Sequence, residues 1–147
     1  MYSNAVILKA KRTPIGSFQG NLSSFSASEL ASFVIHDILK DIKFDRTLIN
    51  EIILGNVLSA GQGQAPSRQA ALKGGCEKSI EALTINKMCG SGLKAVMLAD
   101  QAIRCGDADI ILAGGMESMS NAPHLLMNSR TGTRLGHAKV VDSLIHD

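Results

Sequence analysis

The chain has 147 residues, of which 45% are hydrophobic, 19% charged and only 3% aromatic, and its 15 Lys and Arg against 13 Asp and Glu leave a formal net charge of +2. That length suits one compact domain with a sizeable core and is too short for two ordinary ones, and the composition excludes a solvating, disordered chain. Scattered charge with few stacking side chains gives no support to nucleic-acid recognition, and no apolar run reaches the roughly 20 residues that a membrane helix needs.

Strand and helix signals alternate along the chain. Ala5 to Leu8 reads as a short buried strand, with no leader-like pattern before it, followed by a polar loop through Thr13-Pro14-Ile15-Gly16. Ser26-Ala27-Ser28-Glu29 has the pattern of a capping box, in which the Ser hydroxyl accepts an N-terminal N–H and the Glu reaches back to the cap. Leu30, Val34, Ile38 and Ile42, joined by Phe33, then form an apolar helical stripe, and His36 lies off it as a solvated side chain. Ile52-Ile53-Leu54 reads as a second buried strand ending at Gly55. Pro66-Ser67 starts a helix through Lys73 that Gly74-Gly75 stops. A third strand, Leu83 to Ile85, leads to Cys89 and then to a helix presenting Leu93, Val96, Met97 and Ile103, with a stop at Gly106. Ile110 to Ala113 is a fourth strand, broken by Gly114-Gly115. This alternation predicts an α/β fold, a mostly parallel sheet with helices on both faces. Asn121 to Lys139 reads as a long excursion from the sheet, and Val140 to Asp147 as the start of an amphipathic helix that is cut short.

Cys76, Cys89 and Cys105 form no C-x-x-C pair and have no histidines at metal-ligand spacing. The expectation is no disulfide framework, no metal site and reduced thiols in a cytoplasmic compartment. Cys89 is the informative one. In Asn86-Lys87-Met88-Cys89-Gly90-Ser91-Gly92-Leu93 a strand runs into a cysteine, and glycines then open a helix. A nucleophile gains there: a tight turn lifts the side chain off the sheet, the glycines admit a substrate, and the helix N-terminus favours negative charge on the sulfur and on an oxyanion. A small apolar cysteine at a strand end, followed by an ordinary turn, fits the same letters. Cys76 and Cys105, each beside a helix-stopping glycine, read as structural. Gly90-Ser91-Gly92 lacks the spacing of either nucleotide-binding glycine motif.

The stretch Asn86 to Ala95 resembles the acyl-binding cysteine signature of thiolases. Three further segments resemble that family in the same order: Arg12-Thr13-Pro14-Ile15-Gly16-Ser17-Phe18, the stretch Gly61 to Ala71, and Gly114-Gly115-Met116-Glu117-Ser118-Met119-Ser120. The likeness covers essentially the whole chain and is nearer to the acetyl-CoA C-acetyltransferases (acetoacetyl-CoA thiolases) than to the ketoacyl synthases that share the fold. It implies an acyltransferase that condenses two acetyl-CoA to acetoacetyl-CoA, and the reverse thiolysis, through an acetyl-cysteine at Cys89 whose own N–H forms part of an oxyanion hole. It implies coenzyme A thioesters as substrates, no other cofactor, and a homodimer or homotetramer. Gln64 and Met116 to Met119 would then lie at the dimer interface near the active site.

The resemblance also implies what does not match. Thiolases are nearly three times longer, and their activating histidine, their Asn-Glu-Ala loop and their second, acid/base cysteine lie in the later half. His124, His137 and His146 are not cast as the missing base. Residues 1–119 would be the N-terminal core domain without its last strand, and 120–147 the truncated start of a loop domain. A chain so composed would be inactive alone and would need a complementary C-terminal thiolase segment. The alternative is a non-catalytic, thiolase-derived interaction module or an unstable remnant.

Overall fold

The computed structural model describes residues 4–147. Ser26 caps α1 (Ala27–Asp41) in a complete capping box: its hydroxyl accepts the Glu29 N–H at 3.3 Å, and the Glu29 carboxylate accepts the Ser26 N–H at 2.8 Å. β1 (Glu51–Gly55), β2 (Glu81–Ile85) and β3 (Ile111–Gly115) form a parallel sheet in the order β2-β1-β3, with Gly55 level with both Ile85 and Gly115. α2 (Pro66–Gly74) joins β1 to β2, and α3 (Ser91–Cys105) joins β2 to β3. Both helices end where expected, on left-handed glycines, Gly75 at φ +91° and Gly106 at φ +81°, a region that costs glycine nothing. The two crossovers run in opposite directions across the sheet, so right-handed connections place α2 and α3 on opposite faces. Ile52 and Leu54 join the core that α1 and α2 cover, with Ile35, Leu39, Ala70 and Ala71, while the alternate residue Ile53 is buried on the α3 side. The fold is the α/β arrangement expected, with helices on both faces of a parallel sheet.

Four local expectations fail. Ala5 to Leu8 forms no strand; Val6, Ile7 and Leu8 are all exposed, Ile7 by 81%. Apolar letters alone do not make a strand without a ladder partner, and among the described residues this segment has none; what holds its continuation is Lys9 and Lys11 on Asp37 and Asp41 of α1. The face of α1 in the core is Ala27, Ala31, Ile35 and Leu39, with Leu30, Val34 and Ile38 on its flank. Ile35 is pressed directly onto α2, where a Cβ on Gly74 would sit 2.6 Å from its Cγ2.

The same correction applies to α3, which packs through Ala95 and Ala99 and leaves Leu93, Val96 and Met97 outward. Finally, Val140 to Asp142 is a strand, not the start of a helix. As β5 (Val140–Asp142) it pairs antiparallel with β4 (His124–Leu126), where its two β-branched residues lie opposite Leu125 and Leu126. The one-turn α4 (Ser143–His146) follows, and the buried Ser143 hydroxyl donates to the Pro123 carbonyl at 2.6 Å.

Candidate active site

The turn between β2 and α3 is built by side chains that replace absent ladder bonds. Asn86 Oδ1 accepts the Met88 N–H at 2.9 Å, which holds Met88 at a left-handed φ of +48°. The Ser91 hydroxyl works in both directions, accepting the Lys87 N–H at 2.8 Å and donating to the Met88 carbonyl at 2.6 Å. The Gly90 and Ser91 N–H groups close on the Lys87 and Met88 carbonyls at 3.1 and 3.0 Å. The turn thus engages the N–H groups of Lys87, Met88, Gly90 and Ser91, and Cys89, exposed, stands at its crest.

The crest is set over the carboxyl ends of β1 and β3 by three glycines, Gly55, Gly92 and Gly115. A Cβ on Gly55 would lie 2.5 Å from Ser91 Cβ and 2.8 Å from the Gly92 nitrogen. One on Gly115 would lie 3.2 Å from Gly92 Cα. Only bare backbone at the ends of β1 and β3 lets α3 seat its first turn there. The helix dipole and the unpaired N–H groups of that turn then lie directly after Cys89 in the chain, an arrangement suited to a developing anion.

Cys89 lines an open cleft of about 540 Å³ together with Leu58, Met88, Met116, Glu117 and Leu144. Met119 also lines it, so most of the Met116–Met119 stretch lies beside Cys89, whereas Gln64 does not and instead offers its carbonyl to Gln69. No histidine lines the cleft among the described residues: His36 is exposed on α1, His124 opens β4, and His137 and His146 are exposed. Of the other thiols, Cys76 is packed against the core and burial pushes its thiol up to about 11, the chemistry of an inert residue. Cys105 is exposed at the far end of α3.

Sequence reasoning missed the polar group behind this cleft. Glu117 accepts the Asn56 side-chain N–H at 2.7 Å, the Val57 N–H at 2.9 Å and the Leu58 N–H at 3.3 Å. Asn56, buried, completes its hydrogen bonds by accepting from Gln62 Nε2 at 3.1 Å. Asn56 and Glu117 are 61 positions apart, so no local pattern signals the pair; the one hint is that each lies within two residues of a strand end, Asn56 one past Gly55 and Glu117 two past Gly115.

Comparison with known proteins gives the family. The family described as "Thiolase, N-terminal domain" matches residues 5–147. A probable acetyl-CoA acetyltransferase of Escherichia coli K12 is 54% identical over 144 residues, 98% of this chain and 37% of that protein. An acetyl-CoA acetyltransferase of Pseudomonas aeruginosa has the same identity and coverage, and a probable acetyl-CoA acyltransferase of Staphylococcus aureus is 49% identical over 145 residues, again covering 37% of its length. The chain therefore spans a little over a third of these relatives. The match spans nearly the whole chain, and the chain belongs to the thiolase N-terminal domain family.

Proposed function

We propose that this chain is the nucleophile-bearing part of an acetyl-CoA C-acetyltransferase, with Cys89 as the acyl acceptor. The observation that carries the reading is the exposed Cys89 on a side-chain-braced turn at the N-terminus of α3, lining a cleft of about 540 Å³ at the carboxyl ends of the strands. The named activities of the relatives supply the reaction class.

In this reading the Cys89 thiolate attacks the carbonyl carbon of acetyl-CoA, and the tetrahedral intermediate expels the CoA thiolate, which takes a proton. The Cys89 N–H, which is not among those the turn engages, donates to the oxyanion. A second acetyl-CoA loses a methyl proton to a base, and its carbanion attacks the acetyl-cysteine. The C–S bond breaks, acetoacetyl-CoA leaves and the Cys89 thiolate returns. The reverse sequence is thiolysis. The resemblance puts the base, the second cysteine and most of the CoA pocket in the later half of a thiolase, and this chain spans 37% of its Escherichia coli relative, so in this reading the 147 residues alone are inactive. Residues 1–119 form the core domain and 120–147 the start of a loop domain. The complete assembly is a homodimer or homotetramer in the cytoplasm that uses CoA thioesters without another cofactor.

The test mixes this chain with the unmatched C-terminal part of the Escherichia coli relative and adds acetyl-CoA. Peptide mass analysis is expected to find one acetyl group on Cys89 and none in Cys89→Ala; acetylation at another residue overturns the assignment. A second reading, a non-catalytic interaction module, is favoured by the outward apolar residues of α3, Leu93, Val96 and Met97. A chain that binds the C-terminal part yet acquires no acetyl group and restores no thiolysis decides for it.

A further inference from the structure

The loop from Asn56 to Ala65 leaves the centre of the sheet without regular secondary structure and forms one wall of the cleft through Asn56, Val57 and Leu58. A loop of this kind has no ladder to hold it, and Gly61, Gly63 and Ala65, all at positive φ, give it several bends. Its first three residues are nevertheless fixed. Asn56 N–H donates to the Ile85 carbonyl at 3.0 Å, and Asn56 Nδ2, Val57 N–H and Leu58 N–H all converge on the one carboxylate of Glu117. Met116 in turn donates to the Gly55 carbonyl at 2.9 Å, which locks the strand end carrying Glu117 to the strand end carrying the loop. A carboxylate suits this position because it carries no donor: three N–H groups meet acceptors only. A glutamine there would turn an NH₂ toward the Val57 and Leu58 N–H groups and leave Asn56 Nδ2 only its longer contact to the Met116 carbonyl at 3.4 Å.

We propose that Glu117 is a positioning residue: it clasps the Asn56–Leu58 turn across the cleft from Cys89 and so sets the width of the opening through which an acyl group reaches the thiol. Its meaning for acyl transfer rests on the proposed function, but the clasp itself does not. Its experiment therefore uses no acetyl-CoA. In the full chain and in Glu117→Gln, amide hydrogen exchange is followed at Val57 and Leu58, with Ile52 to Leu54 reporting that the sheet persists. Alkylation of Cys89 by iodoacetamide and by the bulkier N-phenylmaleimide is read by peptide mass analysis, with the distant Cys105 as internal reference. Exchange at Val57 and Leu58 is expected to rise at least roughly tenfold, the scale of one lost charge-assisted hydrogen bond. The bulky-to-small rate ratio should rise at Cys89 and stay unchanged at Cys105.

General loosening raises both rates together, so the ratio separates positioning from mere support. Ser118→Ala is the control: its hydroxyl donates to the Phe25 carbonyl at 2.8 Å on the same segment but outside the clasp, and its loss should leave both readouts at Cys89 and Val57 unmoved. Glu117→Asp keeps the acceptors but shortens their reach by a methylene; it should give an intermediate ratio and replaces Glu117→Gln if that variant does not fold. Amides as protected as in the parent chain, freed amides with an unchanged Cys89 ratio, or the same ratio change in Ser118→Ala would each overturn the proposal.

Discussion

The two faces of the sheet are covered by different rules. On one, α1 and α2 bury branched side chains in a continuous core: Ile35 and Leu39 reach Ile52 and Leu54, and Leu39 is 1% exposed. On the other, α3 lies on the sheet through Ala95 and Ala99 and turns its large residues away, with Leu93 70% and Met97 50% exposed. The first face is organised by volume, the second by proximity. α3 must bring its first turn against the backbone of Gly55 and Gly115 to hold Cys89 over the strand ends, and a face of leucines would keep it too far away.

The largest test of that contrast is a pair of truncations. Leu39→Ala is expected to cost about 2–5 kcal/mol in urea denaturation, whereas Leu93→Ala, equally conservative in the sequence, should change stability by no more than about 0.5 kcal/mol. A large loss at Leu93 would show that α3's outward face is covered in solution. The second test addresses proximity directly. Gly55→Ala drives a Cβ into Ser91 at 2.5 Å and into backbone at 2.6 Å; it should cost about 1–3 kcal/mol and alter the Cys89 alkylation rate. Gly114→Ala, one residue from the opposing contact, meets only Leu54 Cδ2 at 3.8 Å and should stay within about 1 kcal/mol of the parent.

The smallest effect lies at the entrance to the volume-packed face. Ser26→Ala removes the cap of α1 at about 1 kcal/mol. Glu29, its partner in the box, is held below the ordinary carboxylate range by the Ser26 N–H, then by the Ser26 hydroxyl and the charge of Lys73. A carboxylate with a depressed folded value contributes stability above its unfolded value and loses it as pH falls through the folded one. The difference in denaturation midpoint between the parent and Glu29→Gln should therefore be constant near neutral pH and shrink as the pH drops below the ordinary glutamate range. A difference independent of pH would mean that the box acts through shape alone.

These comparisons mark where reading along the chain stops. Caps, stops and crossovers are local, and so Ser26, Pro66, Gly75 and Gly106 could be placed at their helix ends from neighbouring residues. The position of Cys89 between a strand and a helix is local for the same reason, as are the four motifs that carry the family resemblance. Which stripe of a helix faces inward is not local. The spacing of Leu30, Val34 and Ile38 is as helical as that of Ala31, Ile35 and Leu39, and the choice between them depends on how near the partner helix comes. Ala5 to Leu8 shows the same limit for strands, since its letters suit a sheet but its hydrogen-bonding groups need a neighbour.

What the sequence by itself determined is thus the order and kind of the elements from α1 to β3, the α/β class and the residue that stands at the crest of the turn. Only the tertiary structure decided that Gly55 and Gly115 are bare so that α3 can touch the sheet, and that Glu117 closes on the turn from Asn56 to Leu58. Both depend on distances between strand ends far apart in the chain, and such distances exist only once the sheet has assembled.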